Sequence, residues 1–356
     1  VADEKLKVLV VGCGNMGTSH ARAYHKIEDF EIAGLVSRGP ESRNRLSEEL
    51  GGLPTFGVFE EALKATKPDV VSINTYPETH YDYARKSLEA GAHIFVEKPL
   101  ANTVEDAQKI VDLAKASGLK VVVGYILHVH PAWKKFTEIA RTLGKPLVMR
   151  MNLNQQSSGE QWKTHKELMK TMSPIVDCGV HYVDIMCRMT RSKPLMVSAI
   201  GARLTEEVSE DMYNYGHLQV TFADGSVGWY EAGWGPMMSE TAFFVKDVIG
   251  PKGCVSIAEE DKGASADIEG HTKTGRLRLH HSSLGPDGQF AKPDEWIETS
   301  EEPDHDGLCE LEQHVLLKAI REDRDMTDHL NDAVNSLKIV LAADEAFRTG
   351  QVARIQ

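Results

Sequence analysis

The apolar run Leu6-Lys7-Val8-Leu9-Val10-Val11 leads without a break into Gly12-Cys13-Gly14-Asn15-Met16-Gly17, and helical spacing then holds from Asn15 to Lys26. A strand, a Gly-x-Gly-x-x-Gly loop and a helix in that order form the dinucleotide fingerprint, whereas the glycine pattern alone is weak evidence. The three glycines serve different ends. Gly12 permits the tight turn, Gly14 lets backbone approach a pyrophosphate, and Gly17 allows helix and sheet to pack closely. Asn15 and Met16 open the helix, whose free N–H groups and positive end favour phosphate.

The pattern continues. Glu31–Val36, Val70–Asn74, His93–Val96 and Lys120–Gly124 read as further strands, alternating with helical stretches at Glu41–Leu50, Thr79–Ala90 and Val104–Ser117. Such alternation predicts a parallel sheet covered on both faces, an α/β fold of the doubly wound Rossmann type. Beyond about residue 125 strand follows strand, at Pro146–Leu153, Leu195–Leu204, Gly216–Phe222, Ser226–Glu231, Phe243–Ile249 and Gly253–Ile257, with turn signals such as Ala223-Asp224-Gly225 between them. We therefore expect residues 1–125 to form the dinucleotide domain. Residues 126–356 should form an α+β domain on a large, mainly antiparallel open sheet, closed by helices at Glu310–Ile320 and Asn331–Phe347, the last packing back on the first domain. The polar stretch Glu259–Asp294 reads as hairpins and surface loops.

A length of 356 residues suits two domains. The net charge of −13 argues against broad attraction to nucleic acid or anionic membrane. Five cysteines without a Cys-x-x-Cys pair argue against a disulfide framework or zinc knuckle. Neither a signal-peptide pattern nor a run of about 20 apolar residues is found, so a cytoplasmic protein is expected.

Where the second strand ends, about 20 residues past the glycines, an acid would bond the ribose 2′-hydroxyl of NAD. Here stand Ser37 and Arg38, a hydroxyl and a guanidinium that suit the 2′-phosphate of NADP; stacking of Arg38 on adenine with NAD bound is the other reading. The cofactor expectation is NAD or NADP, leaning to NADP.

The strand at 70–74 ends in Asn74-Thr75-Tyr76-Pro77-Glu78-Thr79-His80 and the strand at 93–96 runs into Glu97-Lys98-Pro99-Leu100. Together with the glycine loop, these motifs resemble the signature of the glucose-fructose oxidoreductase, inositol dehydrogenase and rhizopine catabolism family, Gfo/Idh/MocA. The likeness extends to Ala342-Ala343-Asp344-Glu345-Ala346-Phe347-Arg348-Thr349-Gly350, similar to the family's closing helix. It implies that Asn74, Thr75, Tyr76, His80 and Glu97 face the cofactor, and that Lys98 meets nicotinamide and substrate beside a proline whose peptide bond is often cis.

A second constellation is Ser173-Pro174-Ile175-Val176-Asp177-Cys178-Gly179-Val180-His181-Tyr182. Ser173 is a good N-cap and Pro174 suits the first helical position, so one helix should start here with Asp177 and His181 on one face. The resemblance places these two beside the nicotinamide with Lys98 opposite. Oxidising a carbinol removes a hydroxyl proton as the carbon-bound hydrogen leaves, so a base titrating near working pH is needed. His181 fills that role; Lys98 stabilises charge on the oxygen and Asp177 orients them. The sequence offers no His-Glu-x-x-His or comparable ligand set, so no metal is expected.

For substrate, Tyr125 and His128 follow the strand at 120–124, where the family lines its site, although a buried tyrosine and a surface histidine are equally good readings. Gln156, Trp162 and Lys163 lie in a loop and short helix expected over the pocket, Trp162 offering a stacking face for a sugar. Lys163, Lys166 and Lys170 either gather an anionic substrate or merely solvate a helix. Tyr182 follows the candidate base. The expected function is hydride transfer at a secondary hydroxyl of a sugar, cyclitol or derivative, in a homodimer or homotetramer. The alternative is a redox-neutral, NAD-dependent glycoside hydrolase using transient oxidation, elimination, hydration and re-reduction.

Overall fold

The computed structural model describes residues 4–239, 245–258, 274–299 and 302–355. It divides into two compact units, one reaching from the N-terminus to Val129 and including Pro303–Val334, the other comprising His130–Glu302 and Asn335–Gln356.

The first unit alternates β1 (Leu6–Val11), α1 (Asn15–Lys26), β2 (Phe30–Val36), α2 (Pro40–Glu49), β3 (Thr55–Phe56), α3 (Phe59–Thr66), β4 (Val70–Ile73), α4 (His80–Glu89), β5 (His93–Glu97), α5 (Val104–Ser117) and β6 (Val121–Gly124). Its six strands are all parallel, in the order β3-β2-β1-β4-β5-β6. Val70–Ile73 and Val121–Gly124 are buried throughout, as strands covered on both faces must be. The strand order reverses direction at β1, so the loops after β1, β2, β4 and β5 share the sheet's carboxyl edge, where such folds take ligands.

In the second unit are α6 (Pro131–Thr142), β7 (Val148–Gln156), α7 (Gly159–Leu168), α8 (Pro174–Asp177), α9 (Gly179–Thr190), β8 (Pro194–Ala202), β9 (Tyr215–Phe222), β10 (Val227–Gly235), β11 (Lys246–Gly250), β12 (Gly253–Ala258), β13 (Arg276–His281) and β14 (Glu295–Glu298). Its sheet, ordered β14-β13-β12-β11-β7-β10-β9-β8-β15, has nine strands among the described residues and closes with β15 (Ala353–Arg354). Among its described strands only β7 and β10 pair in parallel. On β9 burial alternates residue by residue, the mark of a sheet with one covered face.

Helix α10 (His305–Arg321) belongs to the first unit, where Leu316 and Leu317 join Val10, Tyr24 and Phe95 in one core. Apolar side chains on α10 thus complete a core begun 300 residues earlier, which a single cut near residue 125 does not express. Helix α11 (Thr327–Thr349) runs from the first unit into the second. The expected strand start at Phe243 and the first half of the polar stretch, 259–273, lie outside the described residues. No helix among those described is long and apolar enough to cross a membrane.

Candidate active site

The three glycines meet different surroundings. At Gly12, which has φ +92°, an added Cβ would lie 2.3 Å from the Asn74 carbonyl oxygen; at Gly17 it would lie 1.8 Å from the Gly12 oxygen. Packing alone demands glycine at both. At Gly14, by contrast, a Cβ would meet nothing within 4 Å. Gly14 is the N-cap of α1 and makes no side-chain cap bond, and the first turn, led by Asn15 and Met16, carries no acid. Open space in front of uncapped N–H groups fits a pyrophosphate, so the residues present suit a dinucleotide.

At the end of β2, Ser37 is half-buried and Arg38 exposed. A residue the sequence reading missed joins them: Arg43, one turn into α2, donates from Nη1 to the Ser37 carbonyl at 2.5 Å and to that of Arg38 at 3.2 Å. The only signal for it was an arginine five positions after Arg38. Nearby, burial pushes the Cys13 thiol up to about 11 despite the opposing charge of Arg43.

After β4, Asn74 is buried and donates to the Ser72 carbonyl at 3.1 Å, while Thr75 Oγ1 lies 2.6 Å from Thr79 Oγ1 and Tyr76 stands exposed. His80 is fully buried, with Nδ1 2.8 Å from the Pro99 oxygen and Nε2 3.0 Å from the Thr75 oxygen; burial lowers its pKa. It ties together the loops after β4 and β5. Glu97 also points inward, accepting from His20 Nε2 at 2.8 Å through Oε1 and from the Lys98 backbone N–H at 3.2 Å through Oε2. Lys98 is half-buried, and the Lys98–Pro99 bond is cis. After β6, Tyr125 is buried and His128 half-buried, their ring centroids 5.3 Å apart. His329 of α11, not singled out from sequence, packs 5.4 Å from His128 and accepts from the Val123 N–H at 2.9 Å.

In the second unit Ser173 caps α8, accepting from the Val176 N–H at 3.2 Å, and Pro174 takes the first position. The expectation of a single helix is corrected here. Helix α8 ends at Asp177, Cys178 interrupts, α9 starts at Gly179, and the His181 N–H bonds Cys178 at 3.2 Å rather than the residue four back. Asp177 is half-buried, and His181 is 9% exposed. The start of α8 is held from afar: Ser173 Oγ donates to Asp344 Oδ1 at 2.8 Å, and the Tyr213 hydroxyl donates to the same oxygen at 2.5 Å. Burial raises the pKa of Asp344 against those two bonds.

Beside Asp177, Cys178 Sγ lies 3.6 Å from Asp177 Oδ2 and 3.7 Å from Gln155 Oε1, which also accepts from Trp234 Nε1 at 2.8 Å. His165 stacks on Trp234 with centroids 4.4 Å apart; burial lowers it to about 4, with the Asp177 charge opposing. Gln156 is exposed and donates to the Met238 carbonyl at 2.6 Å.

Other candidates sit differently from expectation. Trp162 is buried, with its indole N–H given to Glu207 at 3.2 Å and Lys166 over the ring, so its faces are used in packing. Tyr182 is buried as well, stacked on Tyr230 at 4.9 Å. Each of the three lysines has an acid partner: Lys163 with Glu160, Lys166 with Glu207, and Lys170 with Glu167. That leaves them little net charge for gathering an anion.

Residues 6–125 match the description "Oxidoreductase family, NAD-binding Rossmann fold", and residues 139–255 match "GFO/IDH/MocA C-terminal domain". A UDP-N-acetylglucosamine 3-dehydrogenase from Acidithiobacillus ferrooxidans is 26% identical over 277 residues, 78% of this chain and 77% of that protein. The scyllo-inositol 2-dehydrogenase (NAD(+)) of Bacillus subtilis is 25% identical over 98% of this chain and 96% of its own. Among solved structures, a protein from gentamicin A biosynthesis in complex with NAD superposes with a TM-score of 0.76 at 20% identity, covering 99% of this chain and 97% of that one, a likeness of fold. The chain belongs to the Gfo/Idh/MocA family, an oxidoreductase with an NAD(P)-binding Rossmann domain followed by the family's C-terminal domain.

Proposed function

We propose that the protein is a dehydrogenase interconverting a secondary hydroxyl and a ketone on a cyclitol, a sugar or a close derivative. The observation that carries the reading is the joint presence in one chain of an open glycine loop, of Lys98 in the Glu-Lys-Pro turn, and of Asp177 and His181 at the junction of α8 and α9. The curated relatives, named for a nucleotide sugar and an inositol, support the substrate class.

The dinucleotide, when bound, supplies the two-electron acceptor or donor. Backbone N–H groups of Asn15 and Met16 at the start of α1 would hold its phosphates. The His181 imidazole takes the hydroxyl proton in the oxidising direction and returns it in the other. Lys98 donates to the same oxygen, stabilising alkoxide character or polarising the ketone. Asp177 orients the imidazole and accepts from a neighbouring substrate hydroxyl. With Ser37 and Arg38 standing directly after β2 where an NAD site would present an acid, and Arg43 bonded to their carbonyls, the cofactor is NADP in preference to NAD; the relative from Bacillus subtilis and the gentamicin neighbour, both named with NAD, are the reason to test this directly. The assembly is a homo-oligomer, supported by exposed Val148, Ile200, Val227 and Ile249, which strand register places on one sheet face.

The test incubates pure protein with inositols, sugars, nucleotide sugars and aryl glycosides, with either dinucleotide. Reduced nicotinamide formed in step with ketone supports the proposal. Aglycone release without net reduced cofactor would replace it with the redox-neutral hydrolase.

A further inference from the structure

Behind Lys98 lies a buried chain of polar side chains from three distant segments. Gln313 of α10 donates from Nε2 to His20 Nδ1 at 2.9 Å; His20 Nε2 therefore carries the proton and donates to Glu97 Oε1 at 2.8 Å; Glu97 Oε2 accepts from the backbone N–H of Lys98 at 3.2 Å. His20 and Gln313 are fully buried, and Glu97 nearly so. Burying a carboxylate is costly unless it is paired and hydrogen-bonded, and here one oxygen is held by His20 while the other accepts from the turn that carries the lysine. His80 grips the following residue through the Pro99 oxygen.

We propose that Gln313 and His20 are positioning residues for Lys98, acting through Glu97, and that Glu97 serves this turn rather than the cofactor. The inference rests on the reading that Lys98 works at the substrate. Ionisable groups surround Glu97 on every side: His20 on α1, Lys98 beside it, His80 on α4, and Glu312 with Cys309 on α10. Burial, and then the charge of Glu97, raises Glu312, so it keeps its proton; the pairing with His20 offsets burial and lowers Glu97, which stays charged. One proton is thus shared out between two buried carboxyls, and the charge is left next to Lys98. Because the charge of Lys98 helps to ionise Glu97, the charge of Glu97 favours the ammonium form of Lys98 equally. Weakening the bond from His20 leaves the Glu97 carboxylate, still charged, less screened by that N–H dipole and holds more of Lys98 as ammonium. Removing the charge of Glu97 does the reverse.

Competitive acetylation reads this without substrate, because only the free amine reacts. Pure protein is treated with limiting acetic anhydride at pH 8, and labelling of Lys98 is compared by mass spectrometry with that of exposed Lys115. Gln313→Met should lower the relative labelling of Lys98 about threefold, and Glu97→Gln should raise it about threefold or more, with dinucleotide affinity within about threefold of the parent in both. Simple loosening of the core would raise labelling in both variants, and that result, or no change in either, overturns the proposal. The ligand atoms of His20, Cys309 and Glu312 lie within 4.8 Å of one another. Stoichiometric zinc in the purified protein that is lost in His20→Asn would also overturn it, since a metal would take the imidazole nitrogen that the chain requires. Near-normal turnover in Lys98→Ala would instead remove Lys98 from the chemistry and leave the labelling result standing, so the two readings fail separately.

Discussion

The two sheets place their functional side chains by different means. In the parallel sheet β4 and β6 are buried throughout, the backbone sets where each loop leaves the carboxyl edge, and Gly12, Ser37, Asn74 and Lys98 each follow a strand end directly. In the antiparallel sheet the candidate residues sit on helices laid against one face, and their positions depend on side chains far apart in sequence, such as Asp344 reaching Ser173. Where backbone geometry does the placing, motifs reveal the site. Where side-chain networks do it, motifs reveal only the residues.

The largest effects should come from the glycine loop, and they separate folding from binding within one motif. Gly17→Val puts carbon into the Gly12 carbonyl, so soluble protein should be lost or the Tm should fall by about 10 °C or more, on the order of the several kcal/mol that overpacking exacts. Gly14→Val should leave the Tm within about 2 °C, because its Cβ meets open space, yet weaken dinucleotide binding by about 100-fold or more. Equal thermal losses in both would show that Gly14 is structural too, and calorimetry with circular dichroism checks it.

Next come Lys98→Ala and His181→Ala, one in each unit. Each should lower kcat by about 100-fold or more while dinucleotide affinity stays within about tenfold. If the loss appeared in one unit only, the chemistry would belong to that unit alone.

Asp344→Ala probes the side-chain placement of the second unit. It leaves the Ser173 hydroxyl without its acceptor, Tyr213 keeping Ser173 Oγ at 2.9 Å, at a cost of about 1–3 kcal/mol, and should lower kcat about tenfold with little change in dinucleotide affinity. A stability loss with unchanged kcat would detach the network from the candidate base.

The smallest effect concerns cofactor choice. A charge-assisted bond to a 2′-phosphate is worth about 1.5–3 kcal/mol, part of which Arg43 already commits to the carbonyls of Ser37 and Arg38. Titration should show NADP bound about tenfold tighter than NAD, with Arg38→Ala and Arg43→Ala each costing NADP more than NAD. Equal losses for both dinucleotides would leave the arginines as adenine or loop contacts.

Much of the first sheet was legible because its strands are short apolar runs and its loops carry fixed residue patterns. Even so, β3 and α3 escaped notice: a strand of two residues has no periodicity, and Phe59–Thr66 is barely two turns. In the second unit the alternation of the long strands was readable, but the helix α6 was not marked, and the break at Cys178 leaves no trace in an uninterrupted helical pattern. The roles of His80 and Glu97 were hidden for a different reason. A motif gives a residue's neighbours along the chain, whereas the partners of Glu97 include His20, which lies 77 positions away, with Gln313 behind it. Trp162 was ambiguous in sequence because aromatic area serves packing as readily as sugar stacking, and only the structure supplies Glu207 as the partner of its N–H.

The central claim, net oxidation of a carbinol, is tested most directly with an isotope. A cyclitol or sugar found to react is prepared with deuterium on its carbinol carbons and turned over with oxidised dinucleotide, and both products are weighed by mass spectrometry. The account expects one deuterium in each reduced dinucleotide and an equal amount of ketone lacking it. Dinucleotide recovered oxidised and unlabelled, with the deuterium still on a sugar freed of its substituent, would contradict it.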